Sequence, residues 1–189
     1  MPKTWVETLD GHREAVRHAA INAAMAIASE IGLQKVSMSE VASRTGITRA
    51  TLYKYFTDVD AIFVEWHRRM LEHHLAHVEV VAGKDGAAVD RLTEILLFFA
   101  MTARRHHGTR FAEALRDREH ARAAEERLVA VVEEVVAGGI DAGTLRADLS
   151  PREAAVFLQG SLSGVHRLPD EAAVKRLVGL LVDFVSVQT

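Results

Sequence analysis

Thr48-Arg49-Ala50-Thr51-Leu52-Tyr53-Lys54-Tyr55 places two hydroxyls, a guanidinium, two phenols and an ammonium on eight consecutive residues. Hydroxyl, phenol, lysine and arginine groups donate to phosphate oxygens. An arginine fork can also grip O6 and N7 of guanine, a contact worth roughly 1–3 kcal/mol of discrimination between bases. So many exposed donors and so few apolar anchors are costly for a segment that only packs, so the chemistry implied is recognition of duplex DNA. Arg49 is the first candidate for base readout. Arg44 reads either as a phosphate contact or as a solvated face residue, and Phe56 reads as core.

Such a segment needs elements that present it. Val16, Ala19, Ala20, Ala23, Ile27 and Ile31 recur at three- and four-residue steps, a helix from about His12 to Ile31 that Gly32 stops. Ser37-Met38-Ser39-Glu40 is a capping box opening a second helix, and Gly46 suits its left-handed closing position. Thr48 caps a third helix over Arg49 to Phe56, with its first N–H groups turned outward. Val41, Ala42, Ile47 and Leu52 fall where the second and third helices must touch. This is a helix-turn-helix whose third helix would lie in the major groove. Asp58 caps a fourth helix running through Trp66 towards Val81, until Gly83-Lys84-Asp85-Gly86.

Further helices are expected over Val89 to His107, around Phe111 and Leu115, and from His120 to Val136 before Gly138-Gly139. Two more should run from Ser150-Pro151 to His166 and onward from Asp170. The reading is therefore all-α, about nine helices. It comprises an N-terminal domain over 1–57 and a larger helical effector-binding and dimerisation domain over 58–189. On the fourth helix Trp66, Met70, His73 and His77 share a face. With Phe98, Phe99, Thr102, Phe111 and Leu115 they are candidates for a ligand pocket, although core packing explains the same residues. His73 and His77, with His106 or His107, form a weak metal-ligand pattern, and no metal site is assigned. Val156, Leu158, Gly160, Leu162, Gly164, Val165, Leu177, Leu181, Phe184 and Val185 are candidates for a four-helix interface across a two-fold axis, with some of them facing their own core instead and with Gly160 and Gly164 admitting a close backbone.

Composition narrows the classes. The 189 residues contain no cysteine, which excludes disulfide scaffolds and thiolate metal sites. The longest apolar run, Ile95 to Met101, is too short to span a bilayer, so a cytoplasmic protein without a membrane partner is expected. Net charge is -3, yet residues 1–56 carry seven basic side chains (Lys3, Arg13, Arg17, Lys35, Arg44, Arg49, Lys54) against five acidic ones. No H-E-x-x-H, phosphate loop or glycine fingerprint occurs. Gly160-Ser161-Leu162-Ser163-Gly164 lacks the central serine of a nucleophile elbow, so no enzyme and no cofactor is expected.

Gly46-Ile47-Thr48-Arg49-Ala50-Thr51-Leu52-Tyr53-Lys54-Tyr55-Phe56 resembles the recognition segment of tetracycline-repressor-like (TetR family) transcriptional regulators. The likeness is specific from about Ala15 to Phe63, and Gly143 to Pro151 is similar to a loop found before the dimerisation helices of many members. The resemblance implies a homodimer with a three-helix head, a connecting fourth helix and a ligand-binding body. It implies phosphate contacts at Ser37, Ser39, Thr48, Tyr53 and Lys54, and base-edge positions at Arg49, Ala50 and Thr51. Val59 stands where the family usually has a lysine, which implies a lost phosphate contact and a shallower salt dependence. The function expected is a ligand-responsive regulator, a repressor binding a palindromic double-stranded operator and released by a small-molecule effector. The competing readings are a stand-alone helical small-molecule or metal binder and a constitutive DNA binder.

Overall fold

The computed structural model of the chain describes residues 3–106 and 119–187. Among these residues the fold is all-α, with eight α-helices: α1 Lys3–Ile31, α2 Met38–Thr45, α3 Arg49–Leu52, α4 Val59–Ala82, α5 Ala88–His106, α6 Glu119–Asp141, α7 Pro151–Gly160 and α8 Glu171–Val185. Short 3₁₀ turns cover Leu33–Lys35 and Val165–Arg167. The expected helix around Phe111 and Leu115 lies outside the described residues. None of the described helices is long and apolar enough to cross a membrane.

Helix starts follow local side-chain chemistry. Ser37 Oγ accepts from the Glu40 N–H at 3.1 Å, but the reverse half of the expected box does not form. Asp58 accepts from the Ala61 N–H at 2.7 Å and Asp170 from the Ala173 N–H at 2.7 Å. Ser150 forms the complete reciprocal box with Glu153, with Pro151 in the first turn.

Ends and interiors depart from the sequence reading in four places. Helix α1 begins at Lys3 rather than His12, because Gly11 is tolerated within a helix when nothing crowds it. The regular part of α3 stops at Leu52 rather than Phe56. Its hydrogen bonding continues in a tightened turn, with Lys54 N–H on the Thr51 carbonyl and Phe56 N–H on the Leu52 carbonyl, both at 3.1 Å. Helix α6 runs through Gly138-Gly139 to Asp141. Helix α7 ends at Gly160 rather than His166, so Gly160 and Gly164 are not two positions on one helix.

Two compact units divide the chain, Met1–Met70 and Leu71–Thr189, so the division falls within α4. In the first, Ala20, Ala24 and Ile27 of α1, Val41 and Ala42 of α2, Leu52 of α3 and Phe56 are buried. In the second, α5 packs on α6, on α8 and on the 165–167 turn, while α6 packs on α7. Leu92, Ile95, Leu96 and Ala100 of α5 are buried there, as the unbroken apolar run requires of an enclosed helix.

Candidate nucleic-acid interface

Gly46 closes α2 at φ 72°, ψ 11°, a left-handed conformation that a side chain disfavours. Two residues later Thr48 Oγ accepts from the Thr51 N–H at 3.1 Å and shares a hydrogen bond of 2.9 Å with the Thr51 hydroxyl. Leu52, at 0% exposure, faces inward with Val41 and Ala42, so the third helix is held by a single fully buried side chain per turn. The opposite face is open. Ser37, Ser39, Thr48, Arg49, Ala50 and Lys54 are exposed, Tyr53 is 46% exposed and Thr51 is half-buried. The Arg49 guanidinium stands 5.9 Å from the Tyr53 ring centroid, which keeps both groups on that face.

Other residues singled out in the sequence fall elsewhere. Phe56 is buried and Tyr55 half-buried. Arg44 makes a bidentate ion pair with Glu30 at 2.6 and 2.7 Å, tying α2 to the end of α1. The hydrogen bonds from Arg44 hold the Glu30 carboxyl below its ordinary range. Val59 is half-buried at the start of α4.

The same unit holds a charge network that periodicity did not reveal. Glu65 on α4 accepts from Arg68 at 2.9 Å and Arg69 at 2.8 Å, and Arg17 of α1 lies 3.4 Å away. Arg69 also donates to Glu14 of α1 at 2.5 Å. Burial pushes the Glu65 carboxyl up, but the bonds from Arg68 and Arg69, with the charges of Arg68 and Arg17, outweigh it and bring it down to about 2.

Among the pocket candidates, Trp66 and Met70 are half-buried in the N-terminal unit. In the C-terminal unit the His77 ring lies 4.3 Å from Phe98, and Phe98 meets Phe99 edge-on at 5.8 Å. His74, overlooked in the sequence though it lies three residues before His77, is half-buried and meets Phe98 edge-on at 5.5 Å, while His73 and His77 are both exposed. Thr102, four residues beyond Phe98, is 7% exposed and its hydroxyl has no hydrogen-bond partner among the described residues. Phe111 and Leu115 lie outside the described residues. No group of three or more histidine, aspartate or glutamate side chains assembles among the described residues.

The interface candidates divide by burial. Leu158, Leu162, Val165, Leu181 and Val185 belong to the body's own core and are too buried to line a surface, and Leu177 packs against that core. Val156, Gly160, Gly164 and Phe184 are exposed. Phe157 of α7 and Leu180 of α8, which the sequence reading did not single out, are exposed as well. The Phe157 and Phe184 rings lie 4.9 Å apart, tilted by 41°, and the Arg146 guanidinium sits over the Phe184 ring at 5.0 Å.

Residues 20–65 match the family described as bacterial regulatory proteins, tetR family. This segment holds the helix-turn-helix, and the match falls on the stretch whose recognition motif resembled that family. The whole fold is similar to a transcriptional regulator of the TetR/AcrR family from Thermobifida fusca, with a TM-score of 0.78 at 21% identity, over 88% of this chain and 96% of that one. It is also similar to the transcriptional regulator FadR of Bacillus subtilis in complex with stearoyl-CoA, with a TM-score of 0.68 at 17% identity, over 89% and 98%. A third likeness is to FadR of Thermus thermophilus, a TetR-family transcriptional repressor in complex with lauroyl-CoA, with a TM-score of 0.61 at 19% identity, over 92% and 96%. No curated protein matches the chain.

Proposed function

We propose that the chain is a ligand-responsive transcriptional repressor that binds a palindromic DNA operator as a homodimer and leaves it when a small-molecule effector binds. The observation that carries this reading is the two-faced segment after Gly46. Leu52 fastens it from behind, while Thr48, Arg49, Ala50, Tyr53 and Lys54 are exposed in front. Ser37, Ser39, Thr48, Tyr53 and Lys54 then serve as phosphate contacts. Arg49, Ala50 and Thr51 approach base edges.

The exposed apolar surface of α7 and α8 supports pairing of two copies, since Phe157, Leu180 and Phe184 lie in the open on one protomer. The effector site is assigned to the aromatic cluster of the C-terminal unit. There His77, Phe98 and Phe99 provide apolar and aromatic surface, and the Thr102 hydroxyl, without a partner among the described residues, offers a hydrogen bond. Because two structural neighbours hold acyl-CoA thioesters, that chemical class is the first to screen.

Selection of bound sequences from random duplexes tests the reading. The expected product is a palindrome whose half-sites lie one helical turn apart, roughly 34–36 Å, or a multiple of it. Tyr53→Ala should weaken binding to every duplex. Arg49→Ala should in addition relax the preference at one position per half-site, with a loss of about 1–3 kcal/mol there. Failure to retard any duplex, or equal losses on operator and random DNA for both variants, contradicts it.

A further inference from the structure

The recognition segment is held from behind by Leu52, but its direction also depends on where its last residue sits. Phe56 closes the segment, with its N–H on the Leu52 carbonyl at 3.1 Å and its ring almost wholly buried. Over that ring, 5.0 Å from its centroid, stands the guanidinium of Arg17 from α1. The same guanidinium reaches Glu65 of α4 at 3.4 Å. One side chain thus touches the end of the recognition segment and the α4 carboxylate together. All of these contacts lie within the Met1–Met70 unit.

We propose that Arg17 is a positioning residue for DNA recognition, setting the pose of the 49–56 segment by locking Phe56 to Glu65. This role rests on the DNA-binding reading for its consequence, but not for its geometry. Glu65 is itself immobilised: Arg68 and Arg69 both donate to it, and Arg69 crosses to Glu14, three residues before Arg17 on α1. The carboxylate is therefore a fixed reference on α4 rather than a swinging surface charge. Arginine suits the place because its planar group can stack on a ring while directing N–H groups at a carboxylate, which a lysine ammonium cannot do together. Arg17 retains 33% side-chain exposure, and partly exposed ion pairs add little to stability. Its effect should therefore appear in recognition more than in melting. Contact groups such as Arg49 and Tyr53 must be held to within roughly half an ångström to act together, and a segment barely two turns long has few other restraints.

The test uses the full-length chain with Arg17→Met, which keeps contact with Phe56 and removes the charge, together with Arg17→Lys and Glu65→Gln. Amide hydrogen exchange over residues 48–56 is measured first. Affinities then follow for the duplex selected by the wild-type protein and for a scrambled duplex of the same length. Arg17→Met and Glu65→Gln should speed exchange at the Leu52–Phe56 amides by about tenfold, leaving the buried amides of the C-terminal unit unchanged. The ratio of operator to scrambled affinity should fall by about tenfold as well, with Arg17→Lys between wild type and Arg17→Met. Unchanged exchange in 48–56 overturns the proposal. So does a drop in melting temperature with equal affinity losses on both duplexes, the mark of a merely structural pair. If wild-type protein retards no duplex, the DNA-binding reading fails, and the exchange comparison still decides whether Arg17 holds the segment. Should Arg17→Met not fold, Arg17→Lys and Glu65→Gln carry the same comparison.

Discussion

Two adjacent glycines of α6 should respond to the same substitution with opposite sign. A Cβ built on Gly139 would lie 2.5 Å from Leu145 Cδ1, 2.6 Å from Leu145 Cγ and 2.8 Å from the Ala88 Cβ, whereas one on Gly138 meets nothing within 4 Å. Carbon atoms pack at about 3.5–4.0 Å, so Gly139→Ala demands that Leu145 and Ala88 retreat by about an ångström. Leu145 has little freedom to do so. Its N–H and that of Thr144 both bond to the Gly139 carbonyl, at 3.1 and 2.9 Å. Arg146 N–H then bonds to the Val185 carbonyl at 2.9 Å and Val187 N–H to that of Thr144 at 3.1 Å, so a shift would disturb the end of α8. Overpacking of this kind costs about 1–3 kcal/mol. The gain from replacing a helical glycine by alanine returns roughly 0.5–1 kcal/mol. Gly139→Ala should therefore lose up to about 2.5 kcal/mol and melt up to roughly 10 °C lower, since a chain of this size shifts about 2–4 °C per kcal/mol. Gly138→Ala keeps only the gain of about 0.5–1 kcal/mol and should melt slightly higher. Both are read by thermal and urea unfolding at one fixed protein concentration, because association would otherwise shift the midpoints. Equal midpoints for the two variants, or a more stable Gly139→Ala, would refute the packing argument.

Leu180, 67% exposed on α8, should tolerate aspartate within one protomer but not at a two-fold contact. Sedimentation should show Leu180→Asp raising the dimer dissociation constant by more than about tenfold with unchanged helicity, and a monomeric wild-type protein would contradict this. The Glu65 carboxyl is lowered from the ordinary 4.5 to about 2, so its contribution is fully present above about pH 4.5 and is lost as pH falls through 2. Unfolding curves should accordingly show wild-type protein losing more stability than Glu65→Gln between pH 4.5 and 2. Parallel losses would mean that the arginine contacts do not persist in solution.

Local chemistry was the legible part of this fold. Thr48, Asp58, Ser150 and Asp170 announce helix starts because a capping side chain acts within three residues of itself, and Gly46 announces a stop because its conformation is a property of one residue. Gly138-Gly139 misleads for the complementary reason. Gly139 is there for the close approach of Leu145 and Ala88, a tertiary demand that a local breaker signal cannot be distinguished from. The exposed face of 48–54 was readable, since one apolar residue among many polar ones leaves little choice of which side packs. Helices α7 and α8 were not, because they are apolar over too wide an arc. Periodicity gives the stripe but not which part of it meets the protomer's own core, so Leu158, Val165 and Val185 were grouped with Phe184, and Phe157 and Leu180 were passed over. The Glu65 network joins residues about fifty positions apart, and a charge pattern along one helix carries no trace of such a partner.

The central claim, that two copies present their recognition segments to successive turns of one DNA face, can be measured as a distance. The chain has no cysteine, so Ala50→Cys, at an exposed position beside Arg49, gives one spin label per protomer. Pulsed dipolar spectroscopy on the labelled protein bound to its selected duplex should give one narrow distribution centred near a helical turn, about 34–36 Å. Absence of any paired-label signal, or a broad distribution well beyond that span, would contradict the account.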